Sequence, residues 1–157
     1  MDVEKIRSLI SELQKEINTT DKNQGNKREW ENYFYYAIDS TAQVIRIFDG
    51  GTDFNVGDYE LGNYFQTEEE AKKMLEKIKV YNKLKKLAKR LNNGVEIDWK
   101  NDEQTKYFIY YNNQSEQLEF SHTYIWQDMG CVYCLDEDFA DTALQEIGKE
   151  NLMKLFE

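Results

Sequence analysis

Two stretches of this chain carry nearly the same phrase, and that repetition limits the folds open to it. Residues 33–44 read Tyr-Phe-Tyr-Tyr-Ala-Ile-Asp-Ser-Thr-Ala-Gln-Val. Residues 107–118 read Tyr-Phe-Ile-Tyr-Tyr-Asn-Asn-Gln-Ser-Glu-Gln-Leu and align with them without a gap. In each, runs rich in aromatic and β-branched residues flank a polar turn, which is a hairpin signature. Each is followed by a glycine, a short aromatic stretch and an acidic helix start: Gly62-Asn-Tyr-Phe-Gln-Thr-Glu-Glu-Glu-Ala71 and Gly130-Cys-Val-Tyr-Cys-Leu-Asp-Glu-Asp-Phe-Ala140. The pattern predicts an α+β fold. Two pseudo-repeated antiparallel hairpin–strand–helix units are joined by a long central helix, with a further helix at the N-terminus.

Periodicity divides the chain into three. Residues 1–28 read as an amphipathic helix (Val3, Ile6, Leu9, Ile10, Leu13, Ile17) and a polar linker. The helix reads as an accessory that packs on the body or on a partner. Residues 29–94 form the first β-β-β-α unit: strands at 33–38 and 43–48, a loop at 49–58, a third strand at 59–65, then a helix. Thr67-x-x-Glu70 is a capping box, in which each side chain satisfies a backbone amide of the other residue. The helix runs to Leu91 and ends at Asn92-Asn-Gly94, with Ala71, Met74, Leu75, Ile78, Tyr81, Leu84, Leu87, Ala88 and Leu91 expected on one buried stripe. Residues 95–157 form the second β-β-β-α unit. Its strands are expected at 95–99, 106–111, 117–126 and 131–134, its helix at 137–147, and a short helical tail follows.

Charge separates these parts. Residues 1–67 hold 12 acids and 7 bases, residues 68–91 hold 4 and 9, and residues 92–157 hold 14 and 4, within a net charge of −10. An acidic surface repels nucleic acid and membrane phosphates and attracts basic partners. No apolar run approaches the ~18–20 residues of a membrane span, and the first residues lack an apolar leader core. Two cysteines and one histidine fit a reducing compartment. The expectation is a cytoplasmic protein that binds neither membrane nor nucleic acid directly.

Candidate chemistry is sparse. Cys131-Val-Tyr-Cys134 would place its thiols on opposite faces of a strand, and only His122 could join them as a ligand, short of the four that structural zinc takes. Core packing is the reading. Glu96, Asp98 and Lys100 share one face if 95–99 is a strand, the acid-x-lysine arrangement of metal-dependent nucleases; the plain alternative is a solvated edge. The basic residues of the central helix lack interleaved aromatics for base stacking and read as a solvated face or a partner contact. The acids Asp136, Glu137, Asp138 and Asp141, with Asp128, Glu116 and Glu119 nearby, suit a helix N-terminus or an acidic face that mimics phosphates. Tyr110 and Tyr124 are candidate anchors beside them. No catalytic residue, metal or cofactor is assigned.

Gly62-Asn-Tyr-Phe-Gln-Thr-Glu-Glu-Glu-Ala-Lys-Lys-Met-Leu75, with the tail Ile147-Gly-Lys-Glu-Asn-Leu152, resembles phrases common in small uncharacterised phage and prophage proteins of Gram-positive bacteria. These carry an aromatic hairpin, Gly-Asn-x-Phe-x-Thr-x-Glu-Glu-Ala and a Lys-rich helix. The resemblance spans roughly residues 30–156; Cys-Val-Tyr-Cys stands where a phenylalanine-containing strand is more usual. It implies phage origin and residence in the host cytoplasm, and carries over no catalytic residue. The expected function is an acidic binding protein that inhibits a host nucleic-acid-handling or defence protein, anti-CRISPR-like, by covering its basic surface. A nuclease using Asp98 and Lys100 is one alternative. A small adaptor that forms a homodimer through the central helix is the other.

Overall fold

The long helix begins where its capping box places it. The Thr67 side chain accepts from the Glu70 amide at 3.2 Å, and the Glu70 carboxylate accepts from the amides of Gln66 and Thr67. In the computed structural model, which describes residues 34–157, the elements are β1 (Phe34–Ile38), β2 (Val44–Phe48), α1 (Asp53–Glu60), α2 (Glu68–Leu91), β3 (Lys106–Asn112), β4 (Gln117–Thr123), β5 (Tyr133–Cys134), α3 (Phe139–Glu146) and α4 (Lys149–Met153). The class is α+β, with a two-stranded sheet β1-β2 and a three-stranded sheet β4-β3-β5, all pairs antiparallel. The helix and linker expected over residues 1–28 lie outside the described residues. Among the described residues, no helix is long and apolar enough to cross a membrane.

The two hairpins close alike. Asp39 and Asn112 each accept from amides two and more residues ahead, and Ala42 and Glu116, at matching positions of the aligned phrases, both hold positive φ. In both halves a later segment then returns antiparallel to the first hairpin strand, Phe65 against Tyr36 and Tyr133 against Phe108.

In the first half that segment is not the expected strand. Residues 53–60 are helical, and only Phe65 bridges to β1. A second capping box, Thr52 with Asn55, starts α1. Its inner face is polar: the Tyr35 hydroxyl donates to Asp58 at 2.7 Å, Asn63 Nδ2 donates to Asp58 at 3.1 Å, and Asn55 Nδ2 donates to Tyr35 at 3.2 Å. The Asn63 side chain also accepts from the Ile38 amide and donates to the Ile38 carbonyl. A side-chain amide thus replaces a strand residue, and the ladder needs no third strand. Because Tyr36 exchanges its backbone bonds with Phe65, the ladder alternation turns the N–H and C=O of Val44 and Arg46 to the outer edge of β2. Among the described residues no strand pairs with that edge.

Helix α2 joins the halves by burying two faces. Ala71 and Leu75 are buried where it lies against β1 and β2; Val80, Leu84, Leu87 and Ala88 are buried where it lies against β5 and α3. At 3.6 residues per turn these sets lie about 180° apart around the axis. The single expected stripe is therefore corrected: Met74 and Ile78 are exposed, and Val80 is core. The main apolar cluster gathers the second set with Ile109, Leu118, Cys134, Phe139, Ala143 and Leu152. Three other expectations change. Residues 95–99 are not a strand, since β3 is already paired on both edges. Strand β4 stops at Thr123 instead of running to Trp126, and of residues 131–134 only Tyr133 and Cys134 pair.

Candidate functional site

Acids enter the surface of the second half at the start of α3. Asp136 spends its carboxylate on the Asp138 amide at 2.8 Å. Glu137, Asp138 and Asp141 are exposed, and no hydrogen bond or ion pair to their carboxylates occurs among the described residues. Glu137 borders a small depression shared with Tyr107, Phe120 and His122. The Tyr124 ring meets His122 edge-on at 5.5 Å. Tyr124 and the acidic turn therefore border the same part of the surface.

Tyr110 does not join them. Strand alternation places it with Phe108 on the sheet face opposite Ile109, and Ile109 packs in the core beside α3. Its hydroxyl donates to Glu119, which also accepts from Asn112 and Ser115. The Tyr110 and Ser115 hydroxyls hold the Glu119 carboxyl below its ordinary range, and the carboxylate in turn pushes the Tyr110 hydroxyl up. This cluster closes the β3–β4 turn.

Beyond β4, where the strand is expected to run on to Trp126, the chain presents a loop. Tyr124, Ile125, Trp126 and Met129 are all exposed, the last three at 62%, 74% and 103% of their full surface. The loop is nevertheless tied down. The Trp126 amide donates to Thr123 Oγ1 at 2.9 Å, and the Asp128 amide donates to the Tyr133 hydroxyl at 2.7 Å. Lys106, 0% exposed, donates from Nζ to the carbonyls of Tyr124 and Asn101, each at 2.7 Å, and lies 5.5 Å from the centre of the Trp99 ring. An internal ammonium thus fastens two loops through carbonyls. The signal for this loop was present in sequence: three consecutive apolar residues, Tyr124-Ile-Trp126, break the alternation a half-buried strand requires.

Elsewhere the expected chemistry does not assemble. Glu96, Asp98 and Lys100 do not share a strand face, because Asp98 folds into a turn and accepts from the Lys100 amide at 2.9 Å. The cysteines are free; Cys134 is buried, with its thiol donating to Asn92 Oδ1 at 3.1 Å, and burial pushes both thiols up. Among the described residues no three His, Cys, Asp or Glu side chains converge as a metal site. Compared with protein-family models, with curated proteins and with solved structures, the chain gives no match.

Proposed function

We propose that this chain is a non-enzymatic, phage-encoded acidic binding protein that inhibits a host nucleic-acid-handling or defence protein, anti-CRISPR-like, by covering its basic surface. One observation carries the reading. An outward-facing apolar loop, Tyr124 to Met129, is held by backbone ties, and the unpartnered Glu137 at the start of α3 shares a depression with His122, whose ring meets Tyr124. Exposed apolar patches rimmed by polar groups mark interaction sites, and Tyr and Trp are the usual anchors. Carboxylates around such an anchor would speed encounter with a cationic surface and select for it. The phage origin rests on the Gly62–Leu75 phrase.

The test combines capture and displacement. Immobilised full-length protein is offered to lysate of a Gram-positive host, and retained proteins are eluted with rising salt or with duplex DNA and RNA. The expected result is retention of a nucleic-acid-binding protein that the nucleic acid displaces. That retention weakens in the triple variant Glu137→Lys, Asp138→Lys, Asp141→Lys and in Trp126→Ala. Retention indifferent to salt, nucleic acid and these substitutions refutes the reading, as does retention of no nucleic-acid-binding protein.

A further inference from the structure

The geometry points to a second site, a cleft between the C-terminal half of α2 and the 94–99 loop, that binds a mononucleotide: a flat ring joined to a phosphate. The cleft measures about 430 Å³, within the few hundred to ~1,000 Å³ typical of small-ligand sites. Its helical wall is a row at i, i+4 and i+8: Tyr81, Lys85 and Lys89. The Lys85 ammonium lies 5.6 Å from the centre of the Tyr81 ring. Among the described residues Lys72, Lys73, Lys79 and Arg90 on this helix each pair with a carboxylate, whereas Lys77, Lys83, Lys85, Lys86 and Lys89 do not, and of these five Lys85 and Lys89 line the cleft. In a chain of net charge −10, two neighbouring cations left without a carboxylate partner are an anion subsite.

Aromatic rings reach the cleft from other parts of the chain. Gly94, at φ +83°, turns the chain back beside α2, and the returning loop brings Trp99 to the cleft, where Tyr133 adds a second ring. Trp99 is fixed from two directions, by Tyr133 edge-on at 4.9 Å and by the buried Lys106 ammonium. A prepositioned indole suits stacking of a base, worth about 1–3 kcal/mol. Two lysines suit one phosphate group. A polynucleotide would meet the acidic remainder of the surface and be repelled, so the ligand is a single nucleotide. Glu96, also lining the cleft, can accept from amino groups on the base.

Isothermal titration of the full-length protein with AMP, GMP, CMP and UMP, beside adenosine and inorganic phosphate, tests this. At least one mononucleotide is expected to bind saturably, with nucleoside alone and phosphate alone each about tenfold weaker or more. The pair Lys85→Glu, Lys89→Glu, both exposed positions, is expected to weaken binding at least about tenfold with an unchanged circular dichroism spectrum. Trp99→Phe is expected to retain binding, whereas Trp99→Ala loses it. If Trp99→Ala fails to fold, the lysine pair decides. The proposal is overturned if no mononucleotide binds at millimolar concentration, if phosphate alone binds as tightly, or if the folded lysine pair binds as the wild type does. The capture test leaves this cleft untouched, so the two readings fail separately.

Discussion

The Tyr35 side chain condenses how the first half is held. It is 0% exposed, its ring stacks on Tyr64 at 4.0 Å, and its hydroxyl donates to the buried Asp58. Burial first, and then the Asp58 carboxylate, push its pKa up to about 12 from 10.0. Between those values the folded chain keeps a proton that the unfolded chain releases. The resulting stability is complete below about pH 10, falls as pH rises, and is gone above about pH 12. The difference amounts to about 2–3 kcal/mol. Urea titrations at pH 8, 10 and 12 should therefore show a steep alkaline loss in the wild type. Tyr35→Phe should be about 1–3 kcal/mol less stable at pH 8 yet lose less on going to pH 12. Parallel losses in the two proteins would remove Tyr35 as the source.

Among the elements, α2 is the one on which both halves depend, and at its C-terminus Arg90 pairs with Glu146 of α3 while the Asn92 side chain ties the helix end to β5. Asn92 Oδ1 accepts from the Leu135 amide at 2.8 Å and from the Cys134 thiol, joining the helix end to β5. Asn92→Ala removes the acceptor for both, and thermal unfolding should report a loss of about 1–3 kcal/mol; a loss under about 0.5 kcal/mol would mean that water replaces the amide. The bounds of α2 were legible in sequence because capping boxes and terminal Asn-Gly signals are local. Helix α1 was not, because its stability comes from Asn55 and Asp58 meeting Tyr35 more than 19 residues away in sequence. The alternation Val95-Glu-Ile-Asp-Trp99 was a correct period with no free strand beside it on β3. The acids at 136–141 were plain to read as charge. The apolar loop beside them was hidden in an expected strand. The cleft was hidden for a different reason: its lysines and its rings are neighbours only after the chain folds back at Gly94.

For the molecule as a whole, charge and edges set the behaviour in solution. A net charge of −10 sets a repulsion between copies at low salt, and this repulsion weakens once the Debye length drops to ~8–10 Å. What lies beneath that repulsion at β2 is the run Val44-Ile-Arg-Ile-Phe48, whose outer N–H and C=O groups no described strand occupies. Arg46 is its one charged residue, with the guanidinium carbon 4.2 Å from the centre of the Phe34 ring. A single cation inside a β-prone pentapeptide acts as a gatekeeper against stacking into fibrils. Replacing it, as in Arg46→Val, should shorten the lag before thioflavin-positive fibres form, most of all in high salt; an unchanged lag would mean that the run is sheltered. The outer edge of β2, on the side of the hairpin away from Asn63 and Phe65, thus makes the shelf life of the protein depend on one arginine.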